Sequence, residues 1–182
     1  MKKTLAKIIE KINDLPVAKA EFRKIAKDPE RAYEYARDVI GGRWSEAEKY
    51  IAKNPNCAID YAKDVIGGRW PDAEKYIAKD PEWAYMYTDT VIDGRFPEAE
   101  PTIAKEPAYA YWYAREIIGG RWPDAEKYIA KDPWEACCYA RDVIDGRWPD
   151  AEPIIAKDPM SAHEYAQDVL KRPWPEAGVY EL

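Results

Sequence analysis

The sequence predicts an all-α fold: a right-handed α-solenoid of about six two-helix repeats of 26 residues, with an N-terminal capping helix. Three observations lead there. Pro29, Pro55, Pro81, Pro107, Pro133 and Pro159 follow one another at intervals of 26 residues without an insertion or deletion. Each follows a capping residue, Asp28, Asn54, Asp80, Glu106, Asp132 or Asp158, and precedes apolar residues spaced by three and four, as in Ala32, Tyr35, Ala36, Val39 and Ile40. Most copies then turn at an Arg-aromatic pair: Arg43-Trp44, Arg69-Trp70, Arg95-Phe96, Arg121-Trp122 and Arg147-Trp148.

Residues 1–28 read as the N-terminal cap and a degenerate half-repeat. Leu5, Ile8, Ile9, Ile12 and Leu15 share one helical stripe, with Lys2, Lys3, Lys7 and Lys11 on the other faces. Such an amphipathic helix suits a membrane surface or a partner, but the preferred reading is a lid on the open end of the array. Pro16 ends it. Residues 29–170 hold the tandem repeats. In each, proline stands at the first helical position, where its missing N–H costs nothing, and the long helix runs about three turns to Gly41-Gly42 or a counterpart such as Asp93-Gly94 or Asp145-Gly146. A short helix follows, with Ala47, Tyr50 and Ile51 inward and acids such as Asp72 and Glu74 at its positive end. Pro101 and Pro153 fall inside two of these short helices and predict an irregular or 3₁₀ first turn there. Residues 171–182 form a C-terminal half-repeat or cap, where Lys171-Arg172-Pro173-Trp174 departs from the pattern. Glycine and proline fall at fixed phases rather than in linkers, so residues 1–182 read as a single repeat domain.

The pattern Trp-Pro-Asp-Ala-Glu-Lys-Tyr-Ile-Ala-Lys-Asp-Pro, followed by Ala-x-x-Tyr-Ala-x-x-Val-Ile, resembles short helical repeats of uncharacterised bacteriophage and bacterial proteins. The resemblance covers residues 21–177. It implies an α-solenoid and a phage or phage-derived origin, and it carries over no catalytic or binding residues. In general architecture the chain is also similar to tetratricopeptide and Sel1-like arrays, although their longer consensus does not match.

With 47% hydrophobic residues in 182, the chain can bury a core; a net charge of -6 and a pI near 5.0 weigh against sequence-independent binding to nucleic acid or anionic membranes. No apolar run spans a bilayer. Cys57, Cys137 and Cys138 sit at unrelated phases with no metal-ligand spacing, which predicts a reduced, cytoplasmic setting and no metal or cofactor. The one histidine, His163, stands at the phase of Tyr33, Ile59, Tyr85 and Tyr111 and reads as a partly buried ring. No serine or cysteine motif surrounds it and no phosphate-cradling loop follows a strand, so the expectation is a protein that is not an enzyme.

Two binding surfaces are then open. Arg43, Arg69, Arg95, Arg121 and Arg147, with the turn aromatics and the tyrosines, would form a cationic stacking ladder for nucleic acid or nucleotides. Glu48, Glu74, Glu100, Glu126 and Glu152 recur beside them, and an ion-pair ladder is the preferred reading. The second surface lies where the repeat is broken. Glu30, Arg31, Glu34 and Arg37 point outward at 100° per residue, yet the middle copies put Trp83, Met86, Tyr109, Trp112 and Trp134 at these phases. A contiguous aromatic patch predicts a protein-binding scaffold or inhibitor, with self-association and internal packing as the other outcomes. If the phage-like resemblance reflects origin, the expected partner is a host factor met in the host cytoplasm.

Overall fold

The computed structural model describes residues 16–181; the predicted capping helix over 1–15 lies outside the described residues. The chain is all-α and repetitive. Among the described residues there are six long helices, five short ones between them, a preceding helix at Pro16–Lys27, a 3₁₀ turn at Pro175–Ala177 and no strand.

Each copy starts as its capping residue dictates. Asp28 accepts from the Arg31 N–H, Asn54 from Cys57, Asp80 from Glu82 and Trp83, Asp132 from Trp134 and Glu135, and Asp158 from Ser161. Such caps contribute about 1 kcal/mol each. Glu106 makes no such bond, its side chain being one methylene longer. Proline then takes the first helical position in all six.

The long helices are not α-helical throughout. Pro29–Tyr35 is α, and Ala36–Ile40 continues as a π-helix; the same switch recurs in every copy to Tyr165–Leu170. Gly67 and Gly68 show how it ends: both N–H groups donate to the Ala62 carbonyl, at 2.8 and 3.0 Å, spans of five and six residues. Single π-turns often mark functional sites, but one repeated in six copies belongs to the architecture. It corrects the expected core stripe. The wider turn swings the last residues off the α-helical face, so Val39 and Ile40 are 49% and 44% exposed and their later equivalents half-buried. The next residue enters the left-handed region, as Gly41, Gly67 and Gly119 but also as Asp93, Asp145 and Lys171.

The short helices behave as their prolines require. Pro71–Ile77 and Pro123–Ile129 are helical from the first residue, whereas Glu100–Ile103 and Glu152–Ile155 begin late, after a non-helical turn. At the C-terminus Trp174 and Val179 exchange backbone bonds of 2.7 and 3.0 Å, which folds residues 174–179 into a closing turn.

The described residues group into two compact units, divided between Ile77 and Ala78. In the first, the long helices 29–40 and 55–66 pack on each other and on Ser45–Ile51. In the second, the long helices 81–92, 107–118, 133–144 and 159–170 pack in sequence, each on the next. Both cores use the same positions. The alanines at the phases of Ala32 and Ala47 and the isoleucines at the phase of Ile51 are fully buried from Ala32 to Ala162, whereas Ile25 and Ala177 at these phases in the terminal half-repeats are half-buried. Alanine lets helix backbones approach, and each buried isoleucine contributes about 2 kcal/mol of transfer free energy.

Candidate functional site

The recurring aromatics hold neighbouring copies together. The Tyr113 hydroxyl accepts from the Phe96 N–H at 2.8 Å and donates to Glu100 at 2.9 Å, and Arg95 grips the same carboxylate with two bonds of 2.7 and 2.8 Å. Tyr61, Tyr139 and Tyr165 repeat this with the preceding copy's turn, at 2.7 to 3.1 Å. Each turn ring lies against its tyrosine, as Trp122 does against Tyr113 with centroids 5.0 Å apart. The rings are inside: Trp70, Phe96, Trp122, Trp148 and Trp174 are all buried, and Trp44 is half-buried.

The five arginines of the proposed nucleic-acid stripe are all engaged. Arg43, Arg69, Arg95, Arg121 and Arg147 each make a two-bond pair with the glutamate five residues on, at 2.7 to 2.9 Å. The arginine hydrogen bonds, aided by the tyrosine hydroxyls, hold the Glu48, Glu100, Glu126 and Glu152 carboxyls below the usual carboxylate range, although burial opposes this. Burial pushes the tyrosines the other way, Tyr61, Tyr113, Tyr139 and Tyr165 each up to about 12. An arginine that already donates two charge-assisted bonds to a partly buried glutamate has less to offer a phosphate.

A second set of contacts joins the long helices. Tyr33 donates to Asp64 and accepts from Arg37 at 2.9 Å; Tyr111 donates to Asp142 and accepts from Arg115 at 2.9 Å. Arg141 pairs with Asp142 at 2.7 Å and reaches Asp168 of the next copy at 3.5 Å.

The outward aromatics divide into two groups. Met86, Trp112 and Trp134 are exposed, at 37%, 41% and 44%. Trp83 and Tyr109 are only half-buried, against the expectation that they point fully outward. Their phase, shared with the buried Cys57 and Ser161, turns toward a neighbouring copy; the Tyr109 ring lies 6.1 Å from that of Tyr85. The structure adds Met160, 67% exposed, which sequence reasoning passed over although it stands 26 residues after Trp134. Met86 and Trp112 occupy one phase in consecutive copies. Trp134 and Met160 occupy the phase one turn earlier, so all four lie on the same side of their helices. Trp112 is held in place: Tyr111 lies 5.0 Å from its ring, and the Arg115 guanidinium 5.3 Å over it.

The other candidate chemistry is quiet. Cys57, Cys137 and Cys138 are buried and unpaired, and burial pushes the Cys57 and Cys137 thiols up to about 11 and about 12, so little thiolate forms near neutrality. His163 is exposed, which corrects the expected partly buried ring: at this phase Tyr33 and Tyr111 are covered by a following long helix, and residues 171–181 form none. Among the described residues no group of three or more His, Cys, Asp or Glu side chains is placed to hold a metal ion, and no helix is long and apolar enough to cross a membrane.

Comparison with protein-family models, curated proteins and solved structures finds no match to this chain.

Proposed function

We propose that this protein is a non-enzymatic protein-binding scaffold or inhibitor whose second unit recognises a partner protein through Met86, Trp112, Trp134 and Met160, with the half-buried Trp83 and Tyr109 on the same helices contributing less. One observation carries the reading. Four large apolar side chains are exposed on one side of four successive long helices, where the copies of the first unit carry polar residues. Tryptophan and methionine are costly to leave in water, and tryptophan is a frequent interface anchor. A partner of standard size would cover about 800 Å² of this side. If the resemblance of the repeat pattern to phage and bacterial repeats reflects origin, a bacterial host protein is the first partner to seek.

The test is capture of partners from bacterial lysate by the wild-type chain and by Trp112→Ser/Trp134→Ser, with light scattering on both. Loss of a captured protein on mutation, without loss of helicity, supports the site. A partner retained equally by both chains overturns it, and a wild-type dimer that the variant converts to monomer reassigns the surface to self-association. The nucleic-acid reading through Arg43, Arg69, Arg95, Arg121 and Arg147 is tested by gel shift, where submicromolar binding that falls steeply with salt would revive it.

A further inference from the structure

We infer that the partner element that fits this surface is a basic amphipathic α-helix of about 20 residues; the inference rests on the reading of the stripe as a partner site.

Charge is the first argument. Glu82, Asp89, Glu116, Asp142, Glu164 and Asp168 stand on the four helices that bear the stripe, at or next to its phases. Against them stand Arg115, Arg141 and the exposed His163. Both arginines are already committed, Arg115 to Glu116 at 3.1 Å and to the face of Trp112, Arg141 to Asp142 and Asp168. An apolar stripe bordered by an excess of carboxylates attracts lysine and arginine flanks and repels an acidic segment, a nucleic acid or an anionic lipid surface.

Geometry is the second. Packed helices stand about 10 Å apart, so the four anchors span about 30 Å. An α-helix climbs about 10 Å in seven residues, and a helix laid across the stripe would meet one anchor per heptad with a single apolar face. An extended segment finds no such match: the stripe stands on helices, whose backbone groups bond within themselves, and among the described residues there is no sheet edge for a strand to join. The composition suits the same occupant. Methionine side chains reshape to different apolar partners, while Trp112, pinned between Tyr111 and Arg115, has little freedom left to lose on binding.

The experiment uses two synthetic probes of about 20 residues with the same leucine face. One carries lysine and the other glutamate at every polar position, and binding to the full chain is followed by fluorescence anisotropy. The lysine probe is expected to bind at least about tenfold more tightly than the glutamate probe, to weaken about tenfold on Trp112→Ser/Trp134→Ser, and to weaken severalfold on Asp89→Asn/Glu116→Gln and with added salt. Circular dichroism of each variant keeps folding out of the comparison. Equal binding of the two probes overturns the inference, as does lysine-probe binding that the tryptophan changes do not touch. Absence of lysine-probe binding, with a lysate partner that still depends on the tryptophans, removes the basic helix and leaves the protein-binding site standing. If neither the probe nor any captured partner depends on them, both fall.

Discussion

At the two outward phases of the long helix the first unit carries Glu30, Glu34, Asn56 and Asp60, while the second carries Met86, Trp112, Trp134 and Met160 among its residues there. Beneath these positions the two units are the same object. Both bury alanine at the phases of Ala32 and Ala47 and isoleucine at that of Ile51, both end their long helices in a π-turn, and both close Arg-Glu pairs at 2.7 to 2.8 Å, as at Arg43 and Arg95. The contrast separates two jobs that a repeat protein gives to different phases of one helix. Inward phases repeat because every copy must fit the next; outward phases answer to something outside the stack and are free to differ.

The largest expected effect sharpens the likeness between units. Tyr113 is fully buried and bonded to Phe96 and Glu100, so Tyr113→Ala should cost about 3–4 kcal/mol in urea unfolding through cavity and lost bonds. Tyr35 in the first unit is half-buried, with Phe22 edge-on to it at the position where later copies carry the glutamate. Its alanine variant should cost about half as much. Equal losses would mean that the tyrosine bonds contribute nothing beyond their rings.

Next is the hydroxyl alone. Tyr139→Phe keeps the ring but leaves the Trp122 N–H and Glu126 without a partner they now have at 2.7 and 3.1 Å. A loss of about 1–2 kcal/mol is expected, read from the shift of the unfolding midpoint.

The pH dependence should be steeper in the second unit. Glu48, Glu100, Glu126 and Glu152 have folded values below their ordinary value, so their contribution is present above about pH 4 and is lost as pH falls through the depressed values. Tyr61, Tyr111, Tyr113, Tyr139 and Tyr165 are raised to about 12, so the stability they confer is full below pH 10 and lost as pH rises from there toward 12. The second unit holds three of the four glutamates and four of the five tyrosines. Proteolysis of the chain at pH 11 should therefore open sites in residues 78–182 at least as readily as in 16–77; selective opening of the first unit would contradict the assignment.

The smallest effect tests where the second unit is strained. Both left-handed helix ends of the first unit are glycine, Gly41 and Gly67, while the second has one glycine there, Gly119, and otherwise Asp93, Asp145 and Lys171 at φ of 51° to 54°. Lysine is the least suited to that region, so Lys171→Gly should raise stability by up to about 1 kcal/mol, and Gly67→Lys should lower it by a similar amount, both visible as shifts in Tm.

The helices, their caps and their prolines were legible in the sequence because the signals are local. Asp80 marks a helix start by its side chain, and Pro101 disfavours helix N-terminal to it, so that this short helix starts only at Glu100. The Arg-Glu ladder was legible as well, since residues five apart around a tight turn are neighbours in any copy. The candidate site was half legible. Trp112 and Trp134 broke the repeat and stayed outward, but Trp83 and Tyr109 were assigned to the surface by a uniform 100° step that takes no account of how far a neighbouring copy reaches around the helix.

By itself, then, the sequence determined the all-α class, the 26-residue period and the phase of every cap, all of which follow from covalent geometry and short-range hydrogen bonding. Only the tertiary structure decided that the long helices widen into π-turns, that His163 is exposed while Cys138 is buried, and that Met160 joins Met86, Trp112 and Trp134 outside. Those outcomes depend on which neighbouring copy covers which face, a contact between residues some thirty positions apart such as Tyr111 and Asp142, and no local pattern encodes the reach of that cover.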